Sequence, residues 1–165
     1  MISFENKRKN ARLESFVTAS IEDSTDRLTV RCKFNFHYMD FSQPAGQKFN
    51  EWNKDQLVKL FDKLKNYSAE PLKYWLTQSQ RVGHRSHNVL EIYGNFPAKS
   101  EFQHPKHVPH QVQWARFRVE NLVRLIGFVI PKEFSVKIHS ETKSTFDCNT
   151  FYAVFLDKDH KFYRK

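Results

Sequence analysis

Apolar and polar side chains alternate along RLTVRCKFNFHYMD (27–40). Leu28, Val30, Cys32, Phe34, Phe36 and Tyr38 share one parity, and Thr29, Arg31, Lys33, Asn35 and His37 share the other. A period of two predicts a strand with one face on a core and the other facing water or a partner. The next pattern has a different period. In NKDQLVKLFDKLKNYS (53–68), Leu57, Leu60, Phe61 and Leu64 recur at helical spacing, which predicts an amphipathic helix covering a sheet. Asn53 suits its N-cap, and Gln56, three residues on, suits the reciprocal half of a capping box. A shorter helix is expected over 69–78, capped by Ser68, with Pro71 tolerated in its first turn.

Around these lie weaker signals. Residues 15–21 suit a short strand and 22–26 a turn. Residues 41–47 and 79–88 read as loops. Residues 89–97 read as a strand ending in a turn, and 98–111 as a long loop with two prolines. The final third is strand-rich. VQWARFRV (112–119) and LVRLIGFVIP (122–131) are too close to be anything but a hairpin. A connector, 132–149, with a short strand at 134–138, leads to TFYAVFLD (150–157). That last segment is apolar on both parities and should lie inside the sheet, buried on both faces. The expected fold is α+β: one domain of 165 residues, a twisted and mostly antiparallel sheet, and helices on one face.

Composition adds a partner class. The chain carries 27 Lys and Arg against 18 Asp and Glu, a net charge of +9. An excess of that size suits a polyanion, nucleic acid before a membrane surface. Sixteen phenylalanines favour an aromatic, sheet-rich core. Cys32 and Cys148 have no metal or redox spacing, and Cys32 reads as a buried free thiol. Residues 1–12 are basic and read as a frayed arm. No secretory signal and no bilayer-spanning apolar run is present, so the cytoplasm is the expected compartment and no membrane partner is implied.

The candidate chemistry lies in the second half. His84, His87, His104, His107 and His110 fall within 27 residues. Their spacing lacks the cysteines and ordered elements of known zinc sites, so no metal is assigned, and hydrogen bonding near a polyanion is the expected use. Residues 81–130 carry seven cations against three acids, and five of the cations are arginines. Arg81, Arg85 and Lys106 are expected phosphate contacts from loops. Trp114, Arg116 and Arg118 share a strand face. Arg124 joins that face only if the hairpin loop has three residues, because a one-residue slip turns its side chain over. An exposed face paired with Glu120 and other acids explains the same residues without a ligand. No nucleophile elbow, phosphate-binding loop or dinucleotide fingerprint is present.

WARFRVENLVRLIGFVIP followed by FYAVFLDKDHKFY resembles the last three strands of RelE/ParE-superfamily toxins. In that family a basic hairpin with an arginine near its turn precedes an apolar strand ending in a histidine–basic pair and a tyrosine. The matching positions are Arg118, Arg124, His160, Lys161 and Tyr163. This chain departs from the family in its extra strand 27–40, its His-rich loop and its long connector. The resemblance implies RNA cleavage without a metal or other cofactor, often on the ribosome, and an antitoxin partner. Arg118 and Arg124 would hold the phosphate, with Arg116, Trp114 and Lys161 binding the strand. His160 or Tyr163 would transfer protons. Two other classes suit the same residues. One is a non-catalytic nucleic-acid-binding protein of a mobile element. The other is an inhibitor or interaction protein whose basic face meets an acidic partner.

Overall fold

The structure is a computed structural model that describes residues 27–119 and 123–164, together with 8, 12, 21, 22 and 25. The expected strand 15–21 apart from Ile21, which lies in a turn, nearly all of the basic arm 1–12, and Glu120 lie outside the described residues. Among the described residues seven strands are present: β1 Lys33–Asn35, β2 Ser79–Val82, β3 Arg85–Asn88, β4 Leu90–Gly94, β5 Gln113–Arg118, β6 Arg124–Val129 and β7 Thr150–Asp157. Two helices, α1 Lys54–Tyr67 and α2 Leu72–Thr77, connect β1 to β2. The main sheet has the order β1-β7-β6-β5-β4, with β1 parallel to β7 and every other pair antiparallel. β2 and β3 form a separate two-stranded sheet. The expected α+β class, with a mostly antiparallel sheet, is the observed one.

The sheet is covered differently on its two faces. On one face Leu90, Ala115, Phe117, Leu125, Phe151 and Leu156 pack with Leu60, Leu64 and Tyr67 of α1 and Leu72 and Trp75 of α2. α1 begins with the expected reciprocal cap. The Asn53 side chain accepts from Gln56 N at 2.9 Å, and Gln56 Oε1 accepts from Asn53 N at 3.0 Å. Its far end is clamped to the sheet. Tyr67 stacks on Phe117 at 4.7 Å and its hydroxyl donates to the carbonyl oxygen of Arg118. The Trp75 indole donates to the Tyr67 carbonyl at 2.7 Å. Helix packing therefore grips the very strand that carries the arginines.

The other face packs Trp114, Ile126, Phe128, Val154 and Phe155 under Phe102 and Val108 of the long loop 98–111 and under Phe162 near the C-terminus. No described helix covers this face. Aromatic rings fill it instead, with Trp114 stacked parallel to Phe155 and Phe162 wedged beside both. β7 is flanked by β6 and β1 and is buried along its length except at Tyr152, as its two-sided apolar pattern requires.

Several expectations are corrected. The strand expected over 27–40 shrinks to Lys33–Asn35, and residues 28–30 form turns. Leu28, Val30 and Phe36 are exposed; only Cys32 of that parity is fully buried. β1 pairs with β7 over just three residues, so the alternation continues past the sheet that would bury it. Phe61 is also exposed, because the buried stripe of α1 runs Leu60, Leu64, Tyr67 and leaves its other apolar edge outside. Ser68 does not cap the second helix. It ends the first, its hydroxyl donating to the Leu64 carbonyl at 2.8 Å. The segment 79–88 is not a loop but the β2–β3 hairpin. Its two-residue turn places Gly83 at φ +60, the conformation a tight hairpin asks of glycine. The short strand expected at 134–138 is absent. A 3-10 turn spans Lys132–Phe134, and a single bridge joins Ile138 to Thr145.

Candidate active site

β5 and β6 put three arginines on the helix-free face. Arg118 and Arg124 are direct cross-strand partners, and Arg116 sits two residues along from Arg118. Arg124 therefore points to the Trp114 side, the outcome expected of the longer hairpin loop. All three are buried, at 8% (Arg116), 3% (Arg118) and 2% (Arg124) exposure. Buried to this degree, they are not a solvated face. Trp114 shares their parity but is 1% exposed and packs in the aromatic core, so its expected contact with nucleic acid is ruled out.

Neighbouring strands complete a pocket of about 580 Å³ around the arginines. β4 contributes Glu91 and Tyr93, since Glu91 pairs with Arg116 across the ladder. The Glu91 carboxylate accepts from Arg116 Nη2, and the Tyr93 hydroxyl accepts from Arg116 Nε at 2.8 Å. β3 contributes Ser86, His87 and Asn88, and the Asn88 carbonyl accepts from Arg116 Nη1 at 3.3 Å. The segment after β7 contributes His160 and Tyr163. The Tyr163 ring lies parallel to that of Tyr93 at 4.5 Å.

The placement of His160 has a clear cause. Asp157, 1% exposed, ends β7 opposite Arg124. Its carboxylate accepts from the backbone N–H groups of Asp159, Lys161 and Phe162 at 3.2, 3.0 and 2.9 Å. That folds the chain into a tight turn, and Phe162 drives into the core with no exposure. His160 takes the left-handed conformation, φ +57, within this turn. A non-glycine residue there is uncommon and costs of order 1 kcal/mol, a form of strain that recurs at functional sites. Its Nε2 lies 3.1 Å from Arg124 Nη2. A guanidinium only donates, so this ring nitrogen is the acceptor and the imidazole is neutral.

Electrostatics follow from the clustering. Burial, then the charges of Arg118 and Arg116, bring Arg124 down to about 10. Burial and Arg116 likewise lower Arg118. The two imidazoles are held below the usual histidine range. For His160 the causes are burial and then Arg124, opposed by Asp157. For His87 they are partial burial and then Arg118, Arg124, Arg116 and Arg85. Burial pushes the Tyr93 hydroxyl up to about 12, so it stays protonated. Three guanidiniums converge on one cavity with two imidazoles at its wall, both held below the usual histidine range. Such a pocket attracts an anion, and a phosphate group meets the geometry of arginine best.

The expected residues thus separate. Arg116, Arg118, Arg124, His160 and Tyr163 come together in one cleft. Arg81, Arg85, Lys106 and Lys161 do not line it. Arg81 and Arg85 are exposed on the hairpin, and Lys161 reaches toward Asp159 instead, at 3.7 Å. The five clustered histidines do not assemble. His104 stacks on His110 at 4.6 Å and edges Trp114, while His107 stacks on Tyr38, so the loop that holds them serves as a cover for the second face. Among the described residues no group of three His, Cys, Asp or Glu side chains could hold a metal ion. Cys32 and Cys148 are free thiols, and Cys32 is buried. No described helix is long and apolar enough to cross a membrane.

Glu91, Tyr93 and the pocket position of His87 were not anticipated. Their one sequence signal is that Glu91 and Tyr93 share a parity on a strand next to a basic one. Protein-family models, curated proteins and solved structures yield no match to this chain.

Proposed function

We propose that this protein is a RelE-like endoribonuclease that cleaves RNA at the Arg116–Arg118–Arg124 pocket. The observation that carries this reading is the convergence of three buried guanidiniums on a neutral histidine whose Nε2 faces them. Arg118 and Arg124, opposite each other, suit the two equatorial oxygens of a scissile phosphate and the extra charge of its transition state. His160 suits removal of the 2′-hydroxyl proton, since its imidazole is unprotonated and lies beside the phosphate site. The product would be a 2′,3′-cyclic phosphate and a free 5′-hydroxyl. The net charge of +9 would draw the polyanion in. The ribosome as the setting and an antitoxin as the partner are what the RelE-like reading brings with it.

The test is purified protein with RNA and with translating ribosomes, in EDTA, followed by end-group analysis. Cyclic-phosphate ends are expected. They should fall ~100-fold or more in Arg118→Ala and His160→Ala. Circular dichroism of each variant separates lost chemistry from lost folding. Tight, salt-sensitive binding with no strand scission would replace this reading with a non-catalytic nucleic-acid-binding protein.

A further inference from the structure

The β2–β3 hairpin stands apart from the main sheet, yet it puts an imidazole into the arginine pocket. The strand order explains where. Across the pocket run β7, β6, β5 and β4. His160 follows β7, Arg124 lies on β6, Arg116 and Arg118 lie on β5, and His87 comes just before β4. The two histidines therefore approach the arginine row from different ends: His160 at Arg124 on β6, and His87 beside Asn88, whose carbonyl meets Arg116 on β5. Both imidazoles line the one cavity of about 580 Å³ that the arginines share. His87 is tied to the row, because the next residue's carbonyl accepts from Arg116 Nη1 at 3.3 Å.

We propose that His87 is a second catalytic residue, the general acid that protonates the leaving 5′-oxygen while His160 acts as base. The inference rests on the ribonuclease reading above. In-line displacement at phosphorus requires the attacking and leaving oxygens on opposite sides, and the two imidazoles approach the arginine row from its two ends. In the step, the Arg124 guanidinium turns from His160 Nε2 to the phosphate, and the 2′-oxygen forms a bond to phosphorus as its proton passes to the freed Nε2. The bond from phosphorus to the 5′-oxygen breaks as the His87 imidazolium gives its proton to that oxygen. The products are the 2′,3′-cyclic phosphate and the 5′-hydroxyl, and the protons balance.

The charged groups around both rings set their protonation. Arg85, Arg116, Arg118 and Arg124 bear on His87. Arg124, Arg118, Arg116 and Asp157 bear on His160. Glu91, Tyr93 and Tyr163 line the same cavity. A bound phosphate offsets the arginines and makes an imidazolium easier to form, so the substrate itself arms the acid.

The pH–rate profile of the whole protein on an RNA oligonucleotide should be bell-shaped. His87→Gln should lower kcat ~100-fold and remove the basic limb, without changing affinity for the uncleavable all-deoxy strand. A substrate with sulfur in place of the leaving 5′-oxygen needs no acid. It should return His87→Gln to the wild-type rate, but not His160→Gln. His84→Gln, at the hairpin tip and outside the pocket, is the control expected to cleave normally. If His87→Gln keeps the bell, or its loss is not restored by the sulfur leaving group, His87 is not the acid while the ribonuclease reading stands. If wild type cleaves neither substrate, both proposals fall together.

Discussion

His160 combines three properties: an unfavourable backbone conformation, a neutral ring and a short approach to Arg124. The ring would rather stay unprotonated in the fold than in the unfolded chain, and so would His87. Both folded pKa values lie below that of a free histidine, about 6.5. The unfolded state therefore binds more protons than the folded state once pH falls below about 6.5. Stability contributed by these rings is fully present above that pH and is lost as pH falls toward the folded values. Urea midpoints measured from pH 7.5 down to 5 should decline for wild type more than for His87→Gln/His160→Asn. Asparagine is chosen at 160 because it tolerates the left-handed conformation. Parallel declines in both proteins would mean that neither burial nor the arginines hold these rings unprotonated.

At the scale of elements, the site depends on a bulge. The β6–β7 register shifts between Ile126 and Gly127. This lets the core end of the hairpin and the Arg124–Asp157 end both pair with β7. A Cβ on Gly127 would overlap the Tyr152 carbonyl oxygen and approach the Phe151 ring at 2.7 Å. The oxygen belongs to the backbone of a strand paired on both sides and cannot turn away. Gly127→Ala should cost about 3 kcal/mol or more. Denaturant unfolding would measure it, and a loss under 1 kcal/mol would mean that the β6–β7 spacing relaxes freely.

Legibility in the sequence divides at the same scale. α1, the β5–β6 hairpin and β7 announce themselves, because period, capping residues and a two-sided apolar run each reflect local rules. β1 misleads, because alternation records what a strand can bury and says nothing of how long its partner is. The β2–β3 hairpin is hidden because its side chains are polar on both parities and its stability comes from the turn at Gly83 and from packing on α2. Arg118, Arg124 and His160 were found through motif and charge. Glu91, Tyr93 and His87 join them only through the pairing of β4 with β5, a long-range fact with no local trace.

For the whole molecule, three guanidiniums sharing one pocket repel one another, and burial together with that repulsion lowers the pKa of Arg118 and Arg124. Arg118 directly opposite Arg124 is a like-charge cross-strand pair, which by itself destabilises a sheet. Glu91 answers Arg116, and Asp157 lies opposite Arg124 and eases its charge. The fold tolerates this because Tyr67, Trp75 and the aromatic layer hold β5 and β6 in place from both faces. A phosphate that binds only the folded protein should then stabilise it by RT ln(1 + [L]/Kd), about 2.7 kcal/mol at one hundred times Kd. Pyrophosphate at low millimolar concentration should raise Tm well beyond sodium chloride of equal ionic strength. The difference should vanish in Arg118→Gln, which keeps a polar side chain of similar reach while deleting the charge. It should persist in Arg81→Gln and Lys106→Gln, whose cations lie outside the pocket. An equal rise in all four proteins would show that the anion acts on the general basic surface, and the pocket would then have no special claim on phosphate.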